Sequence, residues 1–292
     1  KGDFSTAERH LEEVLTLYKE LDPERLPPDP FIFLGVITHL NGEMKRARAL
    51  IEKGLERSRA TGDRWFEGYA VFNLGYLDGL AGKPAEGRPN LDAGLAVWRE
   101  LGDPHSIAMG LNFLAPILLK LGLIEEARQN VLESLELCAR TGNRWGEGTA
   151  YRFLGYVDLA AGNLRDAEEM LHKSIQVFNG YITGWDIAMS LIFLGEVKLA
   201  GGELTKSRQI YCQALSVARD ARSSPLQLYA LVGMARVFAQ TGEDELAEKI
   251  AAFARAHPNS SLDTVQIAER TLSELSSREI TASARAGRSC SA

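Results

Sequence analysis

GNRWGEGTAYRFLGYVDLAAGNLRDAEEML, residues 142–171, is the stretch on which the fold turns. Between Gly142 and Gly162 the apolar residues Ala150, Phe153, Leu154 and Val157 recur three and four apart, as on one face of a helix. A glycine can end a helix in the left-handed conformation at little steric cost, and the Asn143 that follows Gly142 is a residue type that caps the next one. The stretch therefore reads as a helix (A), a tight turn at Gly162, and a second helix (B). It is also one copy of a series. Glycine stands at Gly2, Gly42, Gly82, Gly122, Gly162, Gly202 and Gly242, a step of 40 kept without a slip in a chain with only 27 glycines among 292 residues. Other columns keep the same step. Leu34, Leu74, Leu114, Leu154, Leu194 and Met234 are each followed by a small residue, Gly35, Gly75, Ala115, Gly155, Gly195 and Ala235. A second small column runs Ala7, Ala47, Gly87, Ala127, Ala167, Ser207 and Ala247. Four residues on from it lies a mostly large one, Leu11, Ile51, Leu91, Val131, Leu171, Tyr211 and Ala251. Small columns mark where helix backbones approach closely, and large ones fill the space beside them. A partial glycine column, Gly62, Gly102 and Gly142, precedes the capping candidates Asp63, Asp103 and Asn143, with Asn163 expected to cap after Gly162.

Leu154-Gly155, Gly162, Ala167, Leu171 and Ser174 carry a resemblance to the tetratricopeptide repeat, although the unit here is longer than the family's usual one. The 40-residue unit resembles the helical-repeat sensor regions of bacterial signal-transducing ATPases and of MalT- or LuxR-like transcription regulators, and is similar to the repeats of scaffolds such as LGN and kinesin light chain. The resemblance implies an all-α, right-handed superhelical solenoid of helix-turn-helix repeats. Residues 1–22 are then a half repeat with helix B only, 23–262 six repeats, and 263–292 a capping helix and tail. The first helix should expose its Ala7, Leu11 and Val14 face, and its A partner is expected upstream of Lys1, in a longer protein. LDPERLPPDP (21–30) reads as a long first connection and NGYITGW (179–185) as a looser joint. SLDTVQIAERTLSELSS (261–277) reads as a solvent-facing cap, followed by a poorly patterned basic tail.

Composition narrows the function classes. A charge of −6, from 33 basic and 39 acidic residues, speaks against a broad nucleic-acid or anionic-membrane surface. No run of 18 apolar residues occurs. Three dispersed cysteines, Cys138, Cys212 and Cys290, fit a reducing, cytoplasmic compartment, the first two as half-buried fillers on B helices. GLAGKP (79–84) is not a phosphate loop, because Leu77 replaces the first glycine and Pro84 the Ser or Thr. The five histidines lack paired metal spacing, and neither a cofactor nor a metal is expected.

In tetratricopeptide-like arrays helix A lines the concave side. The family's groove positions fall on Tyr69, Phe72 and Tyr76; Met109, Asn112 and Pro116; Thr149, Arg152 and Tyr156; Met189, Ile192 and Glu196; and Tyr229, Val232 and Arg236. About half of these are expected to pack between adjacent A helices. Aromatics and arginine are enriched at binding hot spots, and such a groove suits an extended peptide or an amphipathic helix. Arg64-Trp65 and Arg144-Trp145, with Trp185 in the same column, form either a Trp/Arg ladder at the groove mouth or a seal on the joint with the preceding B helix. The resemblance implies non-catalytic recognition of a protein, a peptide, the parent chain's other domains or a small inducer, as the sensor region of a signalling ATPase or transcription regulator. A free-standing adaptor is the alternative, and an enzyme using Arg152, Tyr156 and Glu196 a remoter one. On this reading Arg152→Ala and Tyr156→Ala weaken capture and leave melting unchanged.

Overall fold

The structure is a computed structural model that describes residues 4–21, 26–180 and 184–289. Among these residues it contains fourteen helices and no strand. A first helix, α1 (Phe4–Leu21), precedes six A/B pairs. The pairs are α2 (Asp29–Leu40) with α3 (Met44–Thr61), α4 (Arg64–Leu80) with α5 (Pro84–Leu101), and α6 (Pro104–Lys120) with α7 (Ile124–Thr141). They continue with α8 (Arg144–Ala160) and α9 (Leu164–Asn179), α10 (Gly184–Ala200) and α11 (Leu204–Asp220), and α12 (Ser224–Thr241) and α13 (Asp244–Ala256). A long last helix, α14 (Leu262–Ser289), ends the array. Each helix packs on its neighbours in sequence, and the A helices also touch one another, α2 on α4 and so on to α12 on α14. The A helices therefore form one continuous wall of the solenoid, with the B helices behind it.

The turns follow from the columns. Gly42, Gly82, Gly122, Gly162, Gly202 and Gly242 have φ between +73° and +92°, a region open to glycine and costly for other residues. Gly62, Gly102 and Gly142 end the B helices in the left-handed conformation. Asp63, Asp103 and Asn143 then cap the next A helix, accepting hydrogen bonds from the backbone N–H of Phe66 (3.1 Å), Ser106 (3.3 Å) and Gly146 (2.9 Å). Asn163 differs from expectation and makes no side-chain cap bond. Close A/B contact is enforced by the small columns. A Cβ on Gly75 would lie 2.5 Å from the carbonyl oxygen of Gly87, so the two backbones touch. Leu91, Val131, Leu171 and Tyr211 beside them are fully buried. Truncating any such large side chain costs about 2–5 kcal/mol.

The two ends differ from the sequence reading. In α1, Ala7, Leu11 and Val14 are half-covered because α1 packs on α2; Leu15 is buried there, and Arg46 of α3 pairs with Glu8 (2.8 Å) and Glu12 (2.5 Å). Leu17, Tyr18 and Leu21 are the exposed apolar residues. At the other end α14 does not simply face solvent. Thr264, Ala268, Thr271 and Leu275 are buried against α12 and α13, as an A helix of a seventh repeat would be. The helix also continues through the expected tail to Ser289, since Ala, Arg and Glu favour helix and no proline interrupts them. Cys138 is buried and Cys212 exposed, because position 212 lies on the outer face of its B helix. The proline-rich connection and the 179–185 joint fall partly outside the described residues, as does Cys290.

Candidate functional site

The three groove columns lie on one face of the A helices but meet different surroundings. Tyr69, Phe72, Asn112, Thr149, Arg152, Ile192 and Val232 are buried within the wall. Tyr76, Met109, Pro116, Tyr156, Met189, Glu196, Tyr229 and Arg236 are half-buried. The split is mainly by column. The middle one (72, 112, 152, 192, 232) is buried throughout, between adjacent A helices, whereas the last (76, 116, 156, 196, 236) is half-open throughout. The phenols of Tyr76, Tyr156 and Tyr229 sit in repeats two, four and six. Burial raises the pKa of all three, Tyr156 to about 12, and the Asp263 carboxylate of α14 raises each further. One carboxylate acts on three rings 80 and then 73 residues apart, all on the wall of successive A helices, so curvature has brought that wall round to the start of α14.

The charged members of the set already have partners. Arg152, 1% exposed, donates from Nη1 to Asp186 Oδ1 at 2.7 Å, with Phe153, Phe178 and Trp185 ring centroids 5.3–5.7 Å from its guanidinium carbon. Glu196 accepts from the Tyr211 hydroxyl at 2.6 Å and from Arg236. Tyr211 belongs to α11, and its ring lies where side chains on Gly195 and Gly233 would stand, so a B-helix phenol reaches through the wall. Tyr156 stacks on Phe193 with centroids 4.5 Å apart and planes within 4°, and Tyr76 meets Phe113 edge-on at 5.6 Å. The result is an aromatic inner surface, with the Glu196–Arg236 pair among its half-open residues. Among the described residues no group of three or more His, Cys, Asp or Glu is placed to hold a metal ion, and no helix is long and apolar enough to cross a membrane.

Residues 106–179, most of the third and fourth pairs, match the sequence model of the family described as tetratricopeptide repeat. That segment is made of tetratricopeptide repeats, and the remaining helix pairs repeat its architecture. Among curated proteins none matches it in sequence. Solved structures of similar fold include a Rap protein complexed with competence and sporulation factor (TM-score 0.66, 12% identity, 94% of this chain and 86% of that one). A chain of the APC/C hetero-tetramer Cut9–Hcn1 gives TM-score 0.63 at 14% identity over 91% of this chain and 46% of that one. A signal-transduction ATPase with a tetratricopeptide-repeat sensor from Pyrococcus horikoshii gives 0.55 at 17% identity over 84% of this chain and 38% of that one. At these identities the likeness is one of fold.

Within the helical array the Trp and Arg columns part company. Trp65 Nε1 donates to Asp103 Oδ2 (2.8 Å) and Ser106 Oγ (3.0 Å), and Trp145 Nε1 to Asp186 Oδ2 (3.1 Å), so each indole reaches forward to the start of the next A helix. Burial opposes the Asp103 charge, but hydrogen bonds from Ser106, Trp65 and two backbone N–H groups hold its pKa below the usual value. Arg64 turns instead to Glu67 and Glu100, both at 3.1 Å, and Arg144 to Glu147. Carboxylates three residues along the same helix capture these arginines, and the guanidinium beside Trp185 is that of Arg152. Sequence reasoning missed a further column, Phe33, Phe113, Phe153 and Phe193, which supplies the rings that meet Tyr69, Tyr76 and Tyr156. Its signal was present, a phenylalanine just before the leucine column at the same step of 40.

Proposed function

We propose that the inner channel binds an extended peptide or peptide-like segment of a partner protein, and that the chain is the sensing or scaffolding region of a larger signalling ATPase or transcription regulator. The observation that carries the binding reading is that the half-open Tyr76, Tyr156 and Tyr229 share the wall of adjoining A helices with the Glu196–Arg236 pair. Half-open rings on a rigid wall offer apolar contact at low entropic cost, with a fixed charge pair to set orientation. Asn112, Thr149, Arg152 and Ile192 position that wall and do not touch the partner. The wider context draws on similarity of fold to a Rap protein solved with competence and sporulation factor and to an ATPase carrying a tetratricopeptide-repeat sensor. Recognition rather than catalysis is the reading favoured by the charged groups, since Arg152 and Glu196, two of the three candidates for chemistry, are each held by ion-pair partners within the fold.

The test is selection from a random decapeptide library on the immobilised chain, followed by calorimetry with the selected peptide. Tyr156→Ala should weaken binding at least tenfold, while Leu132→Ala, on the exposed face of α7, leaves it unchanged. Equal binding by Tyr156→Ala and the unsubstituted chain contradicts the assignment.

A further inference from the structure

Six A–B turn glycines share the same backbone conformation, yet among the described residues only two of them face a distant part of the chain. A Cβ placed on Gly122, Gly162, Gly202 or Gly242 would meet nothing within 4 Å. On Gly42 it would stand 3.3 Å from the Cα of Asn259, and on Gly82 2.9 Å from Leu262 Cδ2. At the next A–B turn, Lys120 ends α6 with its Nζ 2.6 Å from Asp263 Oδ1, across 143 residues of sequence. Residues 259–263, the connection from α13 to α14 and the first turn of α14, thus touch the first three A–B turns in succession. The segment is internally set for this. Ser260 Oγ donates to the Ala254 carbonyl at 2.5 Å, and Ser261 Oγ accepts from the Thr264 N–H at 3.2 Å, capping α14 with Asp263 in its first turn. Tyr76 and Tyr156 lie one turn before the ends of α4 and α8, the same end of the A helices at which Lys120 of α6 meets Asp263, so this contact stands beside the inner surface.

We propose that residues 259–263 are a latch that closes the superhelix over its own channel, with Lys120–Asp263 as the bond that breaks when a partner enters. The closure joins the last helix to the first three repeats through two glycine contacts and one ion pair. Side-chain exposures of 22% for Lys120 and 38% for Asp263 leave that pair open to water and salt, so it is weak enough to be displaced. Glycine at position 82 is set by its positive φ of +84°, and the absence of a Cβ there lets the Leu262 side-chain tip lie close against the turn. The consequence for binding rests on the channel being the partner site, whereas the latch itself can be tested without any peptide.

The measurement is the rate at which a maleimide modifies a cysteine at position 156, in a Tyr156→Cys/Cys212→Ser/Cys290→Ser parent whose helical content is checked by circular dichroism. Asp263→Asn should raise the rate at least threefold, and the exchange Lys120→Asp with Asp263→Lys should return it toward the parent's. Raising salt from 50 mM to 1 M should accelerate labelling of the parent and leave Asp263→Asn unchanged, a readout that needs no substitution in the latch. An Asp263→Asn rate equal to the parent's, an exchange variant as fast as Asp263→Asn, or a parent rate indifferent to salt overturns the proposal.

Discussion

Arg222 holds φ at +53° in the column where Gly62, Gly102 and Gly142 hold +66° to +71°. The fold demands a left-handed residue at the end of each of these B helices, and a side chain with a Cβ meets it under strain. Arg222→Gly should therefore raise stability by about 0.5–1 kcal/mol in urea unfolding, the relief of strain exceeding the entropy that glycine adds to the unfolded chain. Arg152 shows where a residue's role is hidden from sequence. Its column was legible as inward-facing, but the carboxylate that claims it, Asp186, lies 34 positions away in the next repeat. Arg152→Ala would leave that carboxylate buried with only the Trp145 indole, so it should lower stability by about 3–5 kcal/mol, contrary to the neutral melting read from sequence alone. His39 supplies a pH signature. Burial against Tyr76 and Met44 lowers its pKa from 6.5 to about 4. The unfolded chain takes up a proton near pH 6.5 and the folded one does not, so stability is constant above that value and falls as pH drops toward 4. The loss should be about 1–3 kcal/mol, and a His39→Gln variant compared in parallel should lack that component.

At the scale of the element, a second ladder ties successive repeats behind the wall. The column Arg48, Arg128, Glu168, Arg208 faces the column Asp78, Asp158, Lys198, Phe238 thirty residues on. Arg48 pairs with Asp78 and Arg128 with Asp158 at 2.7 Å, Glu168 and Lys198 pair at 2.6 Å with the signs reversed, and Arg208 lies 5.0 Å from the centre of the Phe238 ring. Where both facing positions are charged they are complementary, in either order of sign. Arg128→Glu sets two carboxylates together, one of them buried, and should lower the melting temperature, whereas Arg128→Glu with Asp158→Lys should recover most of the loss. The coupling expected from the double-mutant cycle is about 1–3 kcal/mol. Glycine turns, caps and small columns were legible in the sequence because each is a local demand of the backbone. The inverted pair, the Trp65 and Trp145 indoles reaching forward and Tyr211 threading between Gly195 and Gly233 were not, since they depend on how one hairpin docks on the next.

For the whole molecule, a repeat sequence specifies nearest-neighbour contacts and leaves their sum implicit. Six helix pairs and their order could be read from the step of 40, and the inward side of helix A from the resemblance to tetratricopeptide repeats. That accumulated curvature brings Asp263 back to Lys120 could not, because no column encodes a contact made once. The same summation turns rings in repeats two, four and six into one surface. The claim that this surface is the binding site is tested most directly by photo-crosslinking. A library-selected peptide carrying benzoylphenylalanine at each position in turn is irradiated with the chain, and the attachment sites are mapped by mass spectrometry. The account predicts crosslinks on α4, α8, α10 and α12, clustered around Tyr76, Tyr156, Glu196 and Tyr229. Crosslinks confined to the B helices α5, α7, α9 and α11 would contradict it.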